Sequence, residues 1–400
     1  MAEFIERKPD MIRLSSPQAK GEVFTKLMKI PGVQMIYVSA LACTRHRNID
    51  FIRMQREGRL SFLLFNEVDM ITGDYIQKTK DAAAEIAAER NPSGIILLTG
   101  CQSALLSTDY KLLSQEIEEE IGCPVRVHDG CRLCGFDEEN GSSSAIDQML
   151  YAFLSPAEKS AAPSVNILCS SEPDPASELF AVLERAGVTQ INYLTRCKSF
   201  EEYQRMSTAH LNILTSPQDL DIGRHLQERL GIPFVCLGGI YDADELQQAY
   251  AVLAQALQTT FDTTELSARL VEKTSALKQA VGSHPISVAG DVELAKWLLI
   301  NGFPVKSLTM NHHQGLSPEQ TDWFKEHAPH VLAEDGKKGG HGGPGGKGPG
   351  GRGPGGPGGR GPGGRGPGGP GNKPTALKMG YAGAMAALAL LEENLGGEVR

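Results

Sequence analysis

Residues 94–123 read GIILLTGCQSALLSTDYKLLSQEIEEEIGC, and their order decides the fold. GIILLT is a short apolar run of β-branched and leucine residues with no polar alternation, as in a strand buried on both faces. A glycine and Cys101 follow. From Thr108, read as the helix cap, to Ile121 the apolar positions return at helical spacing. Similar apolar runs recur at QMIYVSA (34–40), PVRVHDG (124–130), VNILCSS (165–171), INYLTRC (191–197), LNILTSP (211–217), PFVCLGG (233–239), PISVAG (285–290) and PVKSLTM (304–310). Between many of them lie helical patterns such as Ala176–Ala186. Strand and helix in alternation predict an α/β fold with parallel sheets and right-handed crossovers.

These runs exceed one comfortable open sheet, and composition breaks divide them. SPAEKSAAPS (155–164) reads as a connection between domains. The long helix expected over Thr263–Val281 ends at Gly282, after which β-α alternation restarts, with Asp291 as a further helix cap. The expectation is three Rossmann-like domains over 1–160, 161–282 and 283–400. The third is interrupted at 336–372 by a segment of Gly, Pro, Lys, Arg, His and one Asn. That stretch has nothing to bury, so it reads as a disordered, extended insertion, and its glycines slip out of the collagen frame. Its six Lys and Arg stand without one acidic residue, yet no aromatic side chain offers a stacking platform for bases. The whole chain carries a formal charge of -9, with 40% hydrophobic and 22% charged residues. General nucleic-acid binding is not expected. The first residues, MAEFIERKPD, are charged early, and the run 379–391 is too short to span a bilayer, so a cytoplasmic protein without a membrane segment is expected.

In that compartment thiols stay reduced, so the eight cysteines point to metal, catalysis or burial. Ligands of parallel sheets gather beyond the carboxyl ends of the strands. Cys43 follows the first run, Cys101 follows GIILLTG, and Cys131 and Cys134 follow PVRVHDG in the stretch VHDGCRLCGF. Arg45, His46 and Arg47 crowd Cys43 and favour thiolate, although CTRHRN also reads as a solvated loop. Four thiols would suit zinc, but structural zinc sites usually pair two short-spaced motifs and only one CxxC is present. A thioredoxin-like dithiol would open a helix, whereas this one precedes Gly135 and DEEN. An iron–sulfur cluster accepts cysteines from scattered loops. Cys169, Cys197 and Cys236 read as small buried side chains, and Cys123 as core or a spare ligand. His128 and Asp129 read as tuning the CxxC or forming a turn, and His312 and His313 as a polar loop. No Walker motif supports ATP binding by this chain.

The order of these features resembles the nitrogenase component 1 family, which includes nitrogenase subunits, cofactor-assembly relatives, light-independent protochlorophyllide reductase and nickel-sirohydrochlorin reductive cyclase. The resemblance rests on VSALACTRHR with Cys43, on GIILLTGCQSALLSTDYKLLSQEIEEEIGCPV with Cys101, and on CGF followed by GSSSAIDQMLYAFL. LNILTSPQDLDIGRHLQERLGIPFV and the closing MGYAGAMAALALLEEN extend it over most of the chain outside the insertion. It implies three Rossmann-like domains and a homodimer or a heterodimer with a second component 1-like chain. It further implies a cluster, of 4Fe-4S type, held by Cys43, Cys101 and Cys131 or Cys134, and electrons from a separate P-loop ATPase iron protein. No cysteine precedes Cys43, where many members have their first ligand, so the CxxC would replace it or the dimer would share the cluster differently. The cysteine that anchors the large nitrogenase cofactor falls near Thr215 and Ser216, and no match to its histidine ligand is found. Dinitrogen is therefore not the expected substrate. The resemblance implies an oxidoreductase subunit relaying low-potential electrons to an acceptor between the domains. A non-catalytic scaffold for metallocluster or cofactor assembly is the alternative, and a zinc-stabilised partner-binding protein the third.

Overall fold

A computed structural model describes residues 27–40, 56–100, 106–129, 148–168, 173–310, 316–332 and 379–395. The first sheet is built from β1 (Val33–Ala40), β2 (Leu60–Phe65), β3 (Gly94–Thr99) and β4 (Val125–Asp129), with α1 (Glu67–Thr72), α2 (Asp74–Arg90) and α3 (Tyr110–Ile121) between them. Every pairing is parallel and the strand order is β2-β1-β3-β4. All six residues of β3 are buried, as its unbroken apolar run requires. The edge strand β2, LSFLLF, is only half-buried along its middle and was not among the sequence-predicted strands. The cap of α3 is Asp109, whose side chain accepts from Leu112 N at 2.9 Å. Thr108, the expected cap, instead directs its hydroxyl at Tyr75.

The second sheet repeats the pattern. Its strands are β5 (Ser164–Leu168), β6 (Gln190–Asn192), β7 (Leu211–Leu214) and β8 (Phe234–Cys236), all parallel, in the order β6-β5-β7-β8. Helices α4 (Glu178–Arg185), α5 (Phe200–Gln204) and α6 (Leu220–Leu230) lie between these strands, and α7 (Ala243–Ala256) follows them. INYLTRC is strand only over its first two residues; Leu194–Arg196 turn into a 3-10 helix. An asparagine from each of three neighbouring strands meets in the interior. Asn166 Nδ2 donates to Asn212 Oδ1 at 2.8 Å, and Asn192 Nδ2 donates to Asn166 Oδ1 at 2.9 Å. These are register partners, so the three buried amides hydrogen-bond across the strands, although among the described residues Asn212 Nδ2 is left without a partner.

The long α8 (Thr264–Val281) leads into the third sheet, where β9 (Ile286–Ala289) pairs in parallel with β10 (Val305–Thr309). Helix α8 ends at Gly282, as its sequence predicts. Between the strands α9 (Val292–Ile300) is capped by Asp291, which accepts from Leu294 N at 2.9 Å. Helices α10 (Pro318–His327), α11 (Pro329–Leu332) and α12 (Gly380–Leu395) follow. Among the described residues, one sheet falls in each of the stretches 1–160, 161–282 and 283–400. The insertion expected at 336–372 lies outside the described residues.

Contacts group the chain into two compact units. One contains residues 1–170, 179–238 and 248–262; the other contains 171–178, 239–247 and 263–400. The first holds both four-stranded sheets, because one apolar cluster draws on each: Met35, Ile96 and Phe153 from the first segment, Leu168, Leu214 and Leu226 from the second. In the second unit, Glu178 accepts from Tyr381 N at 2.6 Å and Ala382 N at 3.1 Å, holding the first turn of α12 with a carboxylate.

Candidate metal centre

The order β2-β1-β3-β4 has a consequence for ligands. The chain crosses from β1 to β2 on one side and then returns to β3 on the other, so the connections diverge at the carboxyl ends of β1 and β3. Such a switch point is where open parallel sheets leave a crevice. β4 adjoins β3 on its far side. With strands about 4.8 Å apart, the ends of β1, β3 and β4 fall within about 10 Å along one edge.

Cys43 stands three residues beyond Ala40, Cys101 two beyond Thr99, and Cys131 two beyond Asp129, with Cys134 three further on. These four cysteines lie outside the described residues. Each of the first three is tethered by only two or three residues, each spanning at most about 3.6 Å, to three neighbouring strand ends. Cysteine thiolate is a donor that both iron and zinc accept. His128 and Asp129 belong to β4, paired with Leu98 and Thr99, so they continue the sheet and do not form a turn. Arg45, His46, Arg47, Cys169, His312 and His313 are outside the described residues.

The described cysteines behave differently. Cys123 is buried, its sulfur 3.3 Å from Pro92 O, and burial raises its pKa. Cys197 lies 3.3 Å from Tyr193 O and is pushed the same way by burial. Burial pushes Cys236 up to about 11. All three stay protonated thiols near neutrality and pack as small apolar groups. Among the described residues no three His, Cys, Asp or Glu side chains come together as a metal site.

In the second sheet the corresponding switch point lies between β5 and β7. Thr215, just past β7, donates its hydroxyl to Leu168 O at 3.3 Å. Ser216 accepts from Gln218 N at 3.2 Å and caps a 3-10 turn. Gly238 passes so near that an added Cβ would sit 1.7 Å from Thr215 O. Both hydroxyls, already implausible as iron ligands by their chemistry, are occupied in closing the backbone here.

The sequence model of the nitrogenase component 1 type oxidoreductases matches residues 23–335. The chain belongs to that family. Its members bind iron–sulfur clusters, form oligomers and work with iron protein partners. Among curated proteins, the nitrogenase iron-molybdenum cofactor biosynthesis protein NifE of Nostoc sp. is 24% identical over 229 residues, which are 56% of this chain. The match spans 47% of that relative, about half its length. Two solved structures of nitrogenase Cp1, at pH 6.5 and pH 5, align with TM-scores of 0.44 and 0.43, each at 16% identity. They cover 74% and 77% of this chain and 63% and 69% of the Cp1 chain. Among the described residues, no helix of this nitrogenase component 1 type chain is long and apolar enough to cross a membrane.

Proposed function

We propose that this chain is a nitrogenase-like component 1 subunit whose first sheet carries an iron–sulfur cluster, of 4Fe-4S type, on Cys43, Cys101, Cys131 and Cys134. The observation that supports the reading is the adjacency of β1, β3 and β4, the three strands that these cysteines follow in sequence. Bound there, the cluster would supply a one-electron carrier at low potential. The chain's own contribution is to hold the thiolates, keep the other cysteines protonated and set the potential through burial and hydrogen bonds. Electrons would come from a P-loop ATPase iron protein, and the acceptor is a molecule other than dinitrogen. The engaged Thr215 and Ser216 support that exclusion. The working form would be a homodimer or a heterodimer with a second component 1-like chain, in the cytoplasm, with three Rossmann-like domains over 1–160, 161–282 and 283–400.

A second reading, a scaffold on which a metallocluster or cofactor is assembled, is favoured by one finding: the Nostoc relative is a cofactor biosynthesis protein. Anaerobic purification with iron and sulfide analysis and electron paramagnetic resonance tests the shared part. Iron and acid-labile sulfide are expected in the wild type and lost in Cys43→Ala and Cys101→Ala; cluster content unchanged in both variants overturns the ligand assignment. Catalytic turnover with an iron protein and ATP then marks the reductase, whereas transfer of a bound cofactor to an acceptor protein without turnover marks the scaffold.

A further inference from the structure

Across the second sheet a row of side-chain amides runs in one direction. Gln190 Nε2 donates to Asn192 Oδ1 at 2.8 Å, Asn192 Nδ2 to Asn166 Oδ1 at 2.9 Å, and Asn166 Nδ2 to Asn212 Oδ1 at 2.8 Å. The backbone dictates that direction. Asn166 Nδ2 also donates to Met206 O at 2.8 Å, and a carbonyl oxygen can only accept. Asn166 must therefore turn its amide nitrogen to Met206, which leaves its oxygen for Asn192 and obliges Asn212 to present oxygen to it. Rotating the Asn212 amide by half a turn would set two donors against each other. The nitrogen of Asn212 is thus aimed away from the row by its neighbours.

Asn212 lies in β7 with no exposed surface, and Ser207, in the 3-10 turn Arg205–Thr208, is 1% exposed. Among the described residues, neither Asn212 Nδ2 nor Ser207 Oγ has a hydrogen-bond partner. Ser207 directly follows Met206, whose carbonyl shares Asn166 Nδ2 with Asn212, so both groups belong to the surroundings of one buried amide. The first is a donor only, whereas the hydroxyl both donates and accepts. Interiors seldom leave two such groups unpaired, and where they are fully buried the usual partner is an internal water making about three hydrogen bonds.

We infer that Asn212 Nδ2 and Ser207 Oγ hold one internal water molecule between them, a site independent of the iron–sulfur reading of the first sheet. The water accepts from the amide and meets the serine hydroxyl. Each aligned amide polarises the next, so the last donor of the row is strengthened toward its acceptor. Asn192, Asn166 and Asn212 are register partners. A slip of β5, β6 or β7 by one residue would carry an amide to the other face and break the row, so the completed row favours the observed register.

A crystal structure of the full chain, at a resolution that shows ordered waters, tests the site. The expected result is a density peak at about 2.7–3.2 Å from both Asn212 Nδ2 and Ser207 Oγ. No peak, a peak touching only one of them, or a direct hydrogen bond between Asn212 and Ser207 would overturn the assignment. A double-mutant cycle of Asn212→Ala and Ser207→Ala, followed by urea denaturation, reads the same bridge in solution. Losing either group already releases the water, so the double variant should shift the unfolding equilibrium by at least about twofold less than the product of the single shifts. Single shifts that multiply in full would sink the bridge.

Discussion

At the scale of single residues, polar groups that the sequence scatters become legible once their partners are known. Asn166 feeds two neighbours, so Asn166→Ala leaves a donor of Asn192 and an acceptor of Asn212 without their partner inside the sheet. Each buried group left unsatisfied costs about 1–3 kcal/mol; a loss of about 3 kcal/mol in urea denaturation is expected. Cys236, pushed up to about 11 by burial, should resist iodoacetamide at pH 8 in the native chain and react once unfolded. The sign of the linkage follows. The folded thiol binds its proton more tightly than the unfolded one, so its contribution is fully present below the unfolded value near 8.5 and is lost as pH rises toward about 11. The fall of stability over that window should be shallower in Cys236→Ala, as pH-resolved urea midpoints would reveal.

Between elements, contacts of two kinds decide the packing: charge at helix ends and close backbone approach. Glu178 gives both carboxylate oxygens to the first-turn amides of α12. Hydrogen bonds to a charged group are worth about 1.5–3 kcal/mol each, so Glu178→Ala should expose the amides of 380–384 to faster hydrogen exchange. Glu178→Gln, retaining one acceptor, should fall between. Gly238 cannot carry a side chain, because the first carbon would overlap Thr215 O. Gly238→Ala is expected to destabilise by more than about 3 kcal/mol or to yield no folded protein, judged by soluble yield and circular dichroism. Such contacts explain what the sequence hid: β2 lacks the all-buried environment of β3, while the Tyr75–Thr108 bond joins positions with no local relation.

For the whole molecule, two sheets with the same strand order share one apolar cluster in the first unit. Leu226 is 1% exposed and belongs to that cluster. Its truncation to alanine should cost about 2–5 kcal/mol and accelerate exchange in β1 and β3 together with β5 and β7. Faster exchange confined to β5 and β7 would mean that the sheets unfold independently.

The linear chain by itself determined the α/β class, nine of the ten described strands, the long helix that ends at Gly282, and the family, because apolar period and turn chemistry are local properties carried by neighbouring residues. It also supplied the candidate thiols, since each follows directly on a recognisable apolar run. Tertiary structure alone decided the order of the strands. Pairing in a parallel sheet joins segments tens of residues apart, and only the observed order puts the ends of β1, β3 and β4 side by side, brings Gly238 against Thr215, and sets Tyr75 against Thr108.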